Sequence, residues 1–427
     1  MTRGRVLVVG TTPDYIELIE GRYSGRALFL TDARVRRNAG VERPPEEVEV
    51  TADLSNSKEA LSSLRRHLTT HGMELSGITC FDDESLALAA SLAAKLALPY
   101  HSEASIKTSR SKFHSKRAWL RSGVPCPRVL TAREPEDLEA VIDRLGFPLV
   151  LKPLTGSGSE LVFWCKNRGE ARKAFRIITR RLAEHPDERM YHLGHYQGQG
   201  IDPRQDVVAE EGLTGPEFSC DFILENGRVK IVRVAGKILA PELGTGTTHL
   251  YYVPANGDTG ISQRDLEKQL FEAADAMELT SGLFMADFIV HRGRASFLEL
   301  SPRPSGDCLP WLIRASGGLD MLCLALDLAE GSSPVLPPVE SFRFLAAVRI
   351  LARQTGVIER IDVSRIAGDP GVVDITLYRE PGHKVALPPG DYFSRVLGHI
   401  IFSPSNPDDL AEEGDRLEKL LRVEMAS

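Results

Sequence analysis

The chain has 427 residues, 42% hydrophobic and 26% charged, with a formal net charge of -7. That length is too great for one core and calls for roughly two to four compact units of ordinary soluble composition. The net negative charge gives no support for a general nucleic-acid or polyanionic-membrane binder, while local basic clusters could still hold a small anion.

The six cysteines, Cys80, Cys126, Cys165, Cys220, Cys308 and Cys323, contain no close CxxC pair. Neither a zinc framework nor a disulfide scaffold is expected, and a reducing, cytoplasmic setting fits. The apolar run Val6–Val9 is too short for a signal peptide, and no stretch reaches the roughly 18 apolar residues that span a membrane.

Residues 4 to 100 alternate strand and helix patterns. Arg5–Gly10, Arg26–Leu30, Glu47–Thr51 and Gly77–Phe81 are strand candidates, and Ser85–Leu96 is an Ala- and Leu-rich helix. Such alternation implies a parallel sheet. The turn Gly10-Thr11-Thr12-Pro13 lacks the full GxGxxG pattern, so it is read as scaffold or substrate contact, not a dinucleotide site.

Ser111–Leu120 reads as a helix closed by Gly123-Val124-Pro125-Cys126-Pro127. Lys112 and Lys116 share one face of it, and taken alone both are ordinary solvated lysines. Glu134–Leu145 is an amphipathic helix. The strand Phe147-Pro148-Leu149-Val150-Leu151-Lys152-Pro153 then ends on a lysine, whose burial would be costly without an anion to meet it. The following Thr155–Ser159 stretch, TGSGS, is rich in backbone and hydroxyl donors. It is either a plain hairpin turn or a loop that folds over phosphates.

Residues 184–203 read as a long polar loop. His192 and His195 lack further spaced metal ligands. Val207–Leu213 is a strand running into a bend. Glu217–Leu224, the turn Asn226-Gly227 and Arg228–Val234 make a meander, with Lys237 placed just after its last strand. Leu243–His249 is a Gly/Thr-rich loop, and Ile261–Met277 a long helix. Met285–Asp307 forms a hairpin turning at His291–Arg294, with Asp287 and Glu299 twelve positions apart and therefore able to share a face. It is followed by the rigid turn Ser301-Pro302-Arg303-Pro304-Ser305-Gly306. Two acids beside an arginine suit Mg2+ on a polyphosphate, although a solvated hairpin with surface acids reads the same way in isolation. Gly331–Val339 is a linker. Strands at Phe342–Leu351, Val372–Tyr378 and Ile400–Phe402 and a helix at Pro407–Leu421 then suggest a cap with little chemistry of its own.

Four signals in this order resemble the ATP-grasp superfamily. They are Lys112 before GVPCP, FPLVLKP with TGSGS, AEEGLTGPE, and the D…LELSPR hairpin. The resemblance implies an α/β N-terminal domain, an α+β ATP-grasp fold whose two lobes with antiparallel sheets clamp ATP, and a small α+β C-terminal cap. The expected divisions are 1–104, 105–206 (small lobe), 207–332 (large lobe with the Mg2+ site) and 333–427.

The resemblance also implies roles. Lys112 and Lys152 would hold ATP phosphates under a lid containing Ser157, Gly158 and Ser159. Glu210, Glu211 and Leu213 would form the adenine hinge, with backbone groups of Glu211 and Leu213 reading the base, and Glu217 would hold the ribose. Lys237 would be a further phosphate contact with a catalytic role. Asp287 and Glu299 would bind Mg2+, for which Mn2+ could substitute. Arg303 would steady the transferred phosphoryl group and the acyl-phosphate, Gly306 the acyl oxygen, and His249 the substrate. Superfamily members often carry glutamate where Asp287 stands and asparagine where Ser301 stands, so a metal contact from Ser301 is doubtful.

Pro304-Ser305-Gly306-Asp307 departs from the QVEH-like continuation of biotin carboxylases and looks like the carboxylate–amine ligase branch, similar to L-amino-acid ligases. The expected activity is ADP-forming amide or dipeptide synthesis from a small carboxylate and an amine through an acyl-phosphate. No nucleic-acid or membrane partner is implied, and the homodimer common among relatives stays open. The alternatives are a carboxylase or carbamoyl-phosphate-type enzyme and a non-catalytic ATP-binding protein.

Overall fold

The structure, a computed structural model, describes residues 4–38, 44–191 and 200–426. The first region contains β1 (Arg5–Val9), α1 (Pro13–Tyr23), β2 (Ala27–Asp32), α2 (Ala33–Asn38), β3 (Glu49–Ala52), α3 (Ser57–His71), β4 (Leu75–Thr79), α4 (Leu86–Leu96) and α5 (Glu103–Arg110). Its strands are parallel, in the order β3-β2-β1-β4. A parallel sheet is covered on both faces, which explains why Val6–Val9 and Ala27–Leu30 are unbroken apolar runs with no exposed surface. β1 and β4 are neighbours, so the segments leaving their carboxyl ends, Gly10–Pro13 and Phe81–Glu84, lie side by side.

The next region contains α6 (Lys112–Arg121), β5 (Val129–Ala132), α7 (Pro135–Leu145), β6 (Leu149–Pro153), β7 (Phe163–Cys165), α8 (Arg168–Ala183) and β8 (Val207–Glu211). The strands form an antiparallel sheet in the order β5-β8-β6-β7. Ser111 caps α6 by accepting the His114 amide, and Asn167 caps α8 by accepting that of Glu170. Leu138, Val141 and Ile142 of α7 and Ala174, Phe175 and Ile178 of α8 bury their apolar stripes in one core with Leu149 and Leu151.

The large lobe follows with β9 (Glu217–Glu225), β10 (Arg228–Leu239), β11 (Thr248–Val253), α9 (Gln263–Asp275), β12 (Gly282–His291), β13 (Arg294–Ser301), α10 (Leu309–Gly317) and α11 (Met321–Ala329). Asn226 and Gly227 take φ of 52° and 71°, the left-handed pair a two-residue hairpin turn demands. β10 is longer than expected, so Lys237 lies within the strand rather than after it. Its pairing with Glu217 of β9 and Tyr251 of β11 keeps the ladder going past Val234.

The chain ends with β14 (Leu345–Leu351), β15 (Gly356–Asp362), α12 (Ser364–Ala367), β16 (Val372–Leu377), β17 (Lys384–Val385), β18 (Val396–Phe402), α13 (Leu410–Leu420) and β19 (Arg422–Ala426). This region is α+β but only partly separate. β14, β18 and β16 continue the large lobe's antiparallel sheet, giving the order β13-β12-β9-β10-β11-β14-β18-β16, while β17-β15-β19 form a sheet of their own. The buried run Leu345–Val348 supplies the reason: β14 would be the edge of a free-standing cap, and pairing with β11 covers that apolar edge.

Candidate active site

One cavity of about 1670 Å³ opens where all four regions meet. On one side, Glu210 of β8 is buried between two ammonium groups, Lys152 Nζ at 2.7 Å and Lys116 Nζ at 3.0 Å. Burial would raise the Glu210 carboxyl, but the two lysines hold it below the usual carboxylate range. Lys116 also donates to the Leu298 carbonyl at 2.5 Å, and burial pushes its ammonium down to about 8 against the pull of Glu210. The expectation of a solvated Lys116 is therefore corrected. α6 lays that face on β13, and the neighbouring Trp119 is buried with its indole N–H donating to the Ala273 carbonyl.

Lys112, one turn earlier, reaches the cavity. Its Nζ donates to the Gly156 carbonyl at 2.6 Å and lies 4.0 Å from Glu299. The TGSGS stretch lies on the loop joining β6 to β7 and lines the cavity with Ser157, Gly158 and Ser159. Ser159 Oγ donates to the Gly246 carbonyl at 2.8 Å. Gly158 has φ of +62°, and a Cβ there would stand 2.8 Å from the Phe393 ring, so glycine is favoured and a side chain would have to displace that ring. At the bend after β8 the Glu211 N–H is committed to the Arg128 carbonyl at 3.0 Å, while Leu213, Thr214 and Gly215 line the cavity beside it.

Asp287 and Glu299 are direct cross-strand partners on β12 and β13. Lys237 bridges Asp287 Oδ2 at 2.6 Å and Glu217 at 2.9 Å. Burial alone would lower the Lys237 ammonium; the two carboxylates raise it instead. Asp287 Oδ1 is buried without a hydrogen-bond partner. An orphaned carboxylate oxygen facing a second carboxylate suits a hard divalent cation with oxygen ligands, so the donor set fits Mg2+ or Mn2+.

Across the cavity, Arg303 grips Asp83 of the first region in a bidentate pair, Nε at 2.9 Å and Nη2 at 2.5 Å. Burial would raise Asp83, but the guanidinium holds it at about 2. Ser301 Oγ donates to the same carboxylate at 2.9 Å, so Ser301 helps anchor the arginine's partner. The turn carrying Arg303 is braced from below. The Ser305 amide and hydroxyl donate to Asp221 at 2.8 and 2.5 Å, and buried Arg233 grips the same Asp221 at 2.6 Å. Gly306 lines the cavity beside Arg303.

Sequence reasoning missed Asp82, Asp83 and Glu84, all on the cavity wall. Burial, reinforced by the Asp82 and Asp83 charges, pushes Glu84 up to about 7. One signal was available: they follow the carboxyl end of a parallel strand, the edge where open α/β sheets hold their ligands. Arg349 and Tyr378 of the C-terminal region also line the cavity, so that region does carry part of the site. Arg349 Nε lies 2.8 Å from Asp307.

His249 does not reach the cavity. β10 pairs Leu239 with Thr248 and Ile238 with Leu250, which leaves His249 as the extra residue of a bulge, and its Nε2 lies 3.0 Å from Asp415 on α13. The expected substrate role is corrected accordingly: the bulge turns the ring to the opposite side of the sheet. Glu418, near the same ring, is taken by Arg353 at 2.8 Å. His192 and His195 lie outside the described residues.

Two lobes with antiparallel sheets thus bring lysines, a Gly/Ser loop and a paired-acid hairpin to one cavity. The ATP-grasp domain family matches residues 145–310, and the chain carries an ATP-grasp domain on an ATP-grasp fold. Among curated relatives, the uncharacterized protein y4rH of Sinorhizobium fredii is 25% identical over 336 residues, 78% of this chain and 65% of that protein. Carnosine synthase 1 of Homo sapiens is 24% identical over 337 residues, 75% of this chain and 39% of that enzyme. The chain thus spans less than two thirds of either relative. Among solved structures, the L-amino acid ligase from Bacillus licheniformis superposes with a TM-score of 0.75 at 18% identity, covering 100% of both chains.

Proposed function

We propose that this protein is an ADP-forming carboxylate–amine ligase that makes an amide or dipeptide bond through an acyl-phosphate. One observation carries this reading: Lys112, Lys152, Lys237 and the Asp287–Glu299 pair share a single cavity with Arg303. A carboxylate is a poor electrophile because its leaving group would be oxide. Transfer of the γ-phosphoryl group to a carboxylate oxygen releases ADP and leaves phosphate as the leaving group. The amine then attacks the acyl carbon, phosphate departs, and the amine loses a proton.

Such transfers need positioning and charge neutralisation more than covalent chemistry. The Lys112 ammonium and the Ser157–Ser159 lid would face the phosphates, with Lys152 behind them on Glu210. Asp287 and Glu299 would hold Mg2+ or Mn2+, which supplies charge neutralisation on the polyphosphate. Lys237 fixes Asp287. Arg303, oriented by Asp83, would face the reacting oxygens, and a closed lid would exclude water. The substrates are a small-molecule carboxylate and an amine. A cytoplasmic location and a homodimer belong to the same reading; no described helix is long and apolar enough to cross a membrane.

The test is ADP and phosphate release with Mg-ATP against amino acids, singly and in pairs, with mass spectrometry of the product. Release that needs both an acid and an amine is expected. AMP formation, or release with bicarbonate alone, would overturn the reading in favour of other chemistry. Tight Mg-ATP binding without turnover across the panel would favour a non-catalytic nucleotide binder.

A further inference from the structure

Four aromatic rings from four separate parts of the chain meet on the cavity wall. Tyr15 stands on α1, Phe81 follows β4, Trp311 is in the first turn of α10, and Tyr378 follows β16. They form a continuous row. Ring centroids are 5.8 Å apart for Phe81 and Tyr15, 5.9 Å for Tyr15 and Trp311, and 6.2 Å for Trp311 and Tyr378. The last ring is fixed in place, since the Tyr378 hydroxyl lies 2.7 Å from Nδ1 of buried His399. Leu377, 39% exposed, extends the row to the cavity rim.

Phe81 is buried and ties the row to the core, but the other three rings are not closed off. Trp119 is wholly buried, whereas Tyr15, Trp311 and Tyr378 keep a partly open face. Open apolar surface inside a concave site is what a ligand's apolar group covers. The wall also has a fixed relation to the reacting centre. Arg303 and Gly306 lie on the turn that leads directly into α10, which places Trp311 eight residues beyond the arginine. Arg303 is near enough to the row for its charge to act on the Tyr15 phenol, so the wall begins beside the arginine.

We propose that the acid activated beside Arg303 carries an aromatic or large apolar side chain, and that this side chain packs on Tyr15, Phe81, Trp311 and Tyr378. The proposal rests on the ligase reading and adds the class of acid to it.

The experiment pairs L-phenylalanine with glycine and measures ADP release and product order by mass spectrometry, beside alanine–glycine and leucine–glycine pairs. Phenylalanine should occupy the acyl position, giving Phe-Gly, with a lower KM than alanine. Trp311→Ala should raise the KM for phenylalanine about tenfold, the scale of one lost ring contact, with the KM for ATP unchanged. Trp311→Phe should restore most of the affinity, and its unchanged melting temperature would report an intact fold. A preference for alanine, phenylalanine found only in the amine position, or equal losses for all acids in Trp311→Ala would overturn the proposal while leaving the ligase reading standing. If no pair turns over, that reading fails, and calorimetry with L-phenylalanine decides about the wall: saturable binding weakened about tenfold by Trp311→Ala keeps it, and absence of binding or binding unchanged by Trp311→Ala removes it.

Discussion

Replacing Asp83 with asparagine isolates the contact that joins the first region to Arg303, which faces the reacting oxygens under the proposed ligase reading. The Arg303 guanidinium and Asp83 carboxylate are both largely buried, with side chains 11% exposed on each side. Holding the carboxyl at about 2 instead of 3.8 corresponds to about 2–3 kcal/mol, at roughly 1.4 kcal/mol per pH unit. That figure is already net of the burial penalty. Asp83→Asn does more than forfeit it, because a buried guanidinium is left without its counter-charge, and breaking one side of such a pair costs about 3–5 kcal/mol.

The sign with pH follows from the depressed value. The pair's contribution is fully present above the ordinary 3.8 and is lost as pH falls through about 2. At pH 7 thermal unfolding of Asp83→Asn should therefore begin several degrees below the parent, and the gap should close in strong acid. Activity should fall further than stability explains. An arginine released from its bidentate partner loses its aim, and one mis-set charge-stabilising donor costs roughly 100-fold or more in kcat. The assay is ADP release at saturating substrates, with melting followed by circular dichroism. A variant that melts with the parent at pH 7 and retains its kcat would refute the argument that Asp83 sets Arg303.

Glu299→Gln should keep the melting temperature, since Glu299 is partly exposed and 4.0 Å from Lys112, yet abolish Mg-ATP turnover because a neutral amide is a poorer ligand; ADP release across a Mg2+ titration checks this. Glu210→Gln should destabilise by about 3–5 kcal/mol because it strands two buried ammonium groups. Lys116→Met should cost far less, since a one-to-one Lys152–Glu210 pair survives, and urea unfolding of the two variants compares them directly. In the parent, Lys116 loses its proton near pH 8 when folded and near its ordinary 10.5 when unfolded. Its contribution to stability therefore rises with pH across that interval, and that rise should vanish in Lys116→Met. Glu84, charged only above about 7, should give ADP release a limb rising through neutral pH by attracting the cationic amine; Glu84→Gln should flatten it.

The parts of the site legible in the sequence are those whose chemistry is local. A strand ending on Lys152, a glycine-rich loop and acids at matched hairpin positions each announce themselves within a few residues. Asp287 and Glu299 are cross-strand partners because one turn sets their register. What stayed hidden depends on long-range packing. Lys116 has the same spacing logic as Lys112, and only the seating of α6 on β13 sends one to the cavity and the other into the interior. His249 fell to a single extra residue, since the bulge after Thr248 reverses the face of the sheet and no alternation pattern reveals it. Arg349 and Tyr378 sit in a region whose own sequence carries no chemical signature, and Asp83 is marked only by its place after a parallel strand; all three come to the cavity through partners that other regions bring to them.

That convergence also constrains how the lid can move. The segment from Pro241 to Thr247 is held from outside by Arg395 of the C-terminal region, whose guanidinium donates to the Leu243 carbonyl at 2.7 Å and to Thr247 Oγ1 at 3.0 Å. On its other side the same segment receives the lid's Ser159 hydroxyl at Gly246 and the Trp164 amide at Thr245 Oγ1, 3.0 Å away. Phe393, two residues from Arg395, closes over Gly158. Under the proposed reading, moving the Gly/Ser loop away from this segment would break two hydrogen bonds and a ring contact, besides any change to the bond from Lys112 Nζ to the Gly156 carbonyl. Each neutral bond is worth about 1 kcal/mol net, so these contacts favour the packed arrangement of the loop only modestly. The C-terminal region, which in sequence looks like a passive cap, thus braces the segment against which the Gly/Ser loop packs and adds Arg349 and Tyr378 to the cavity wall.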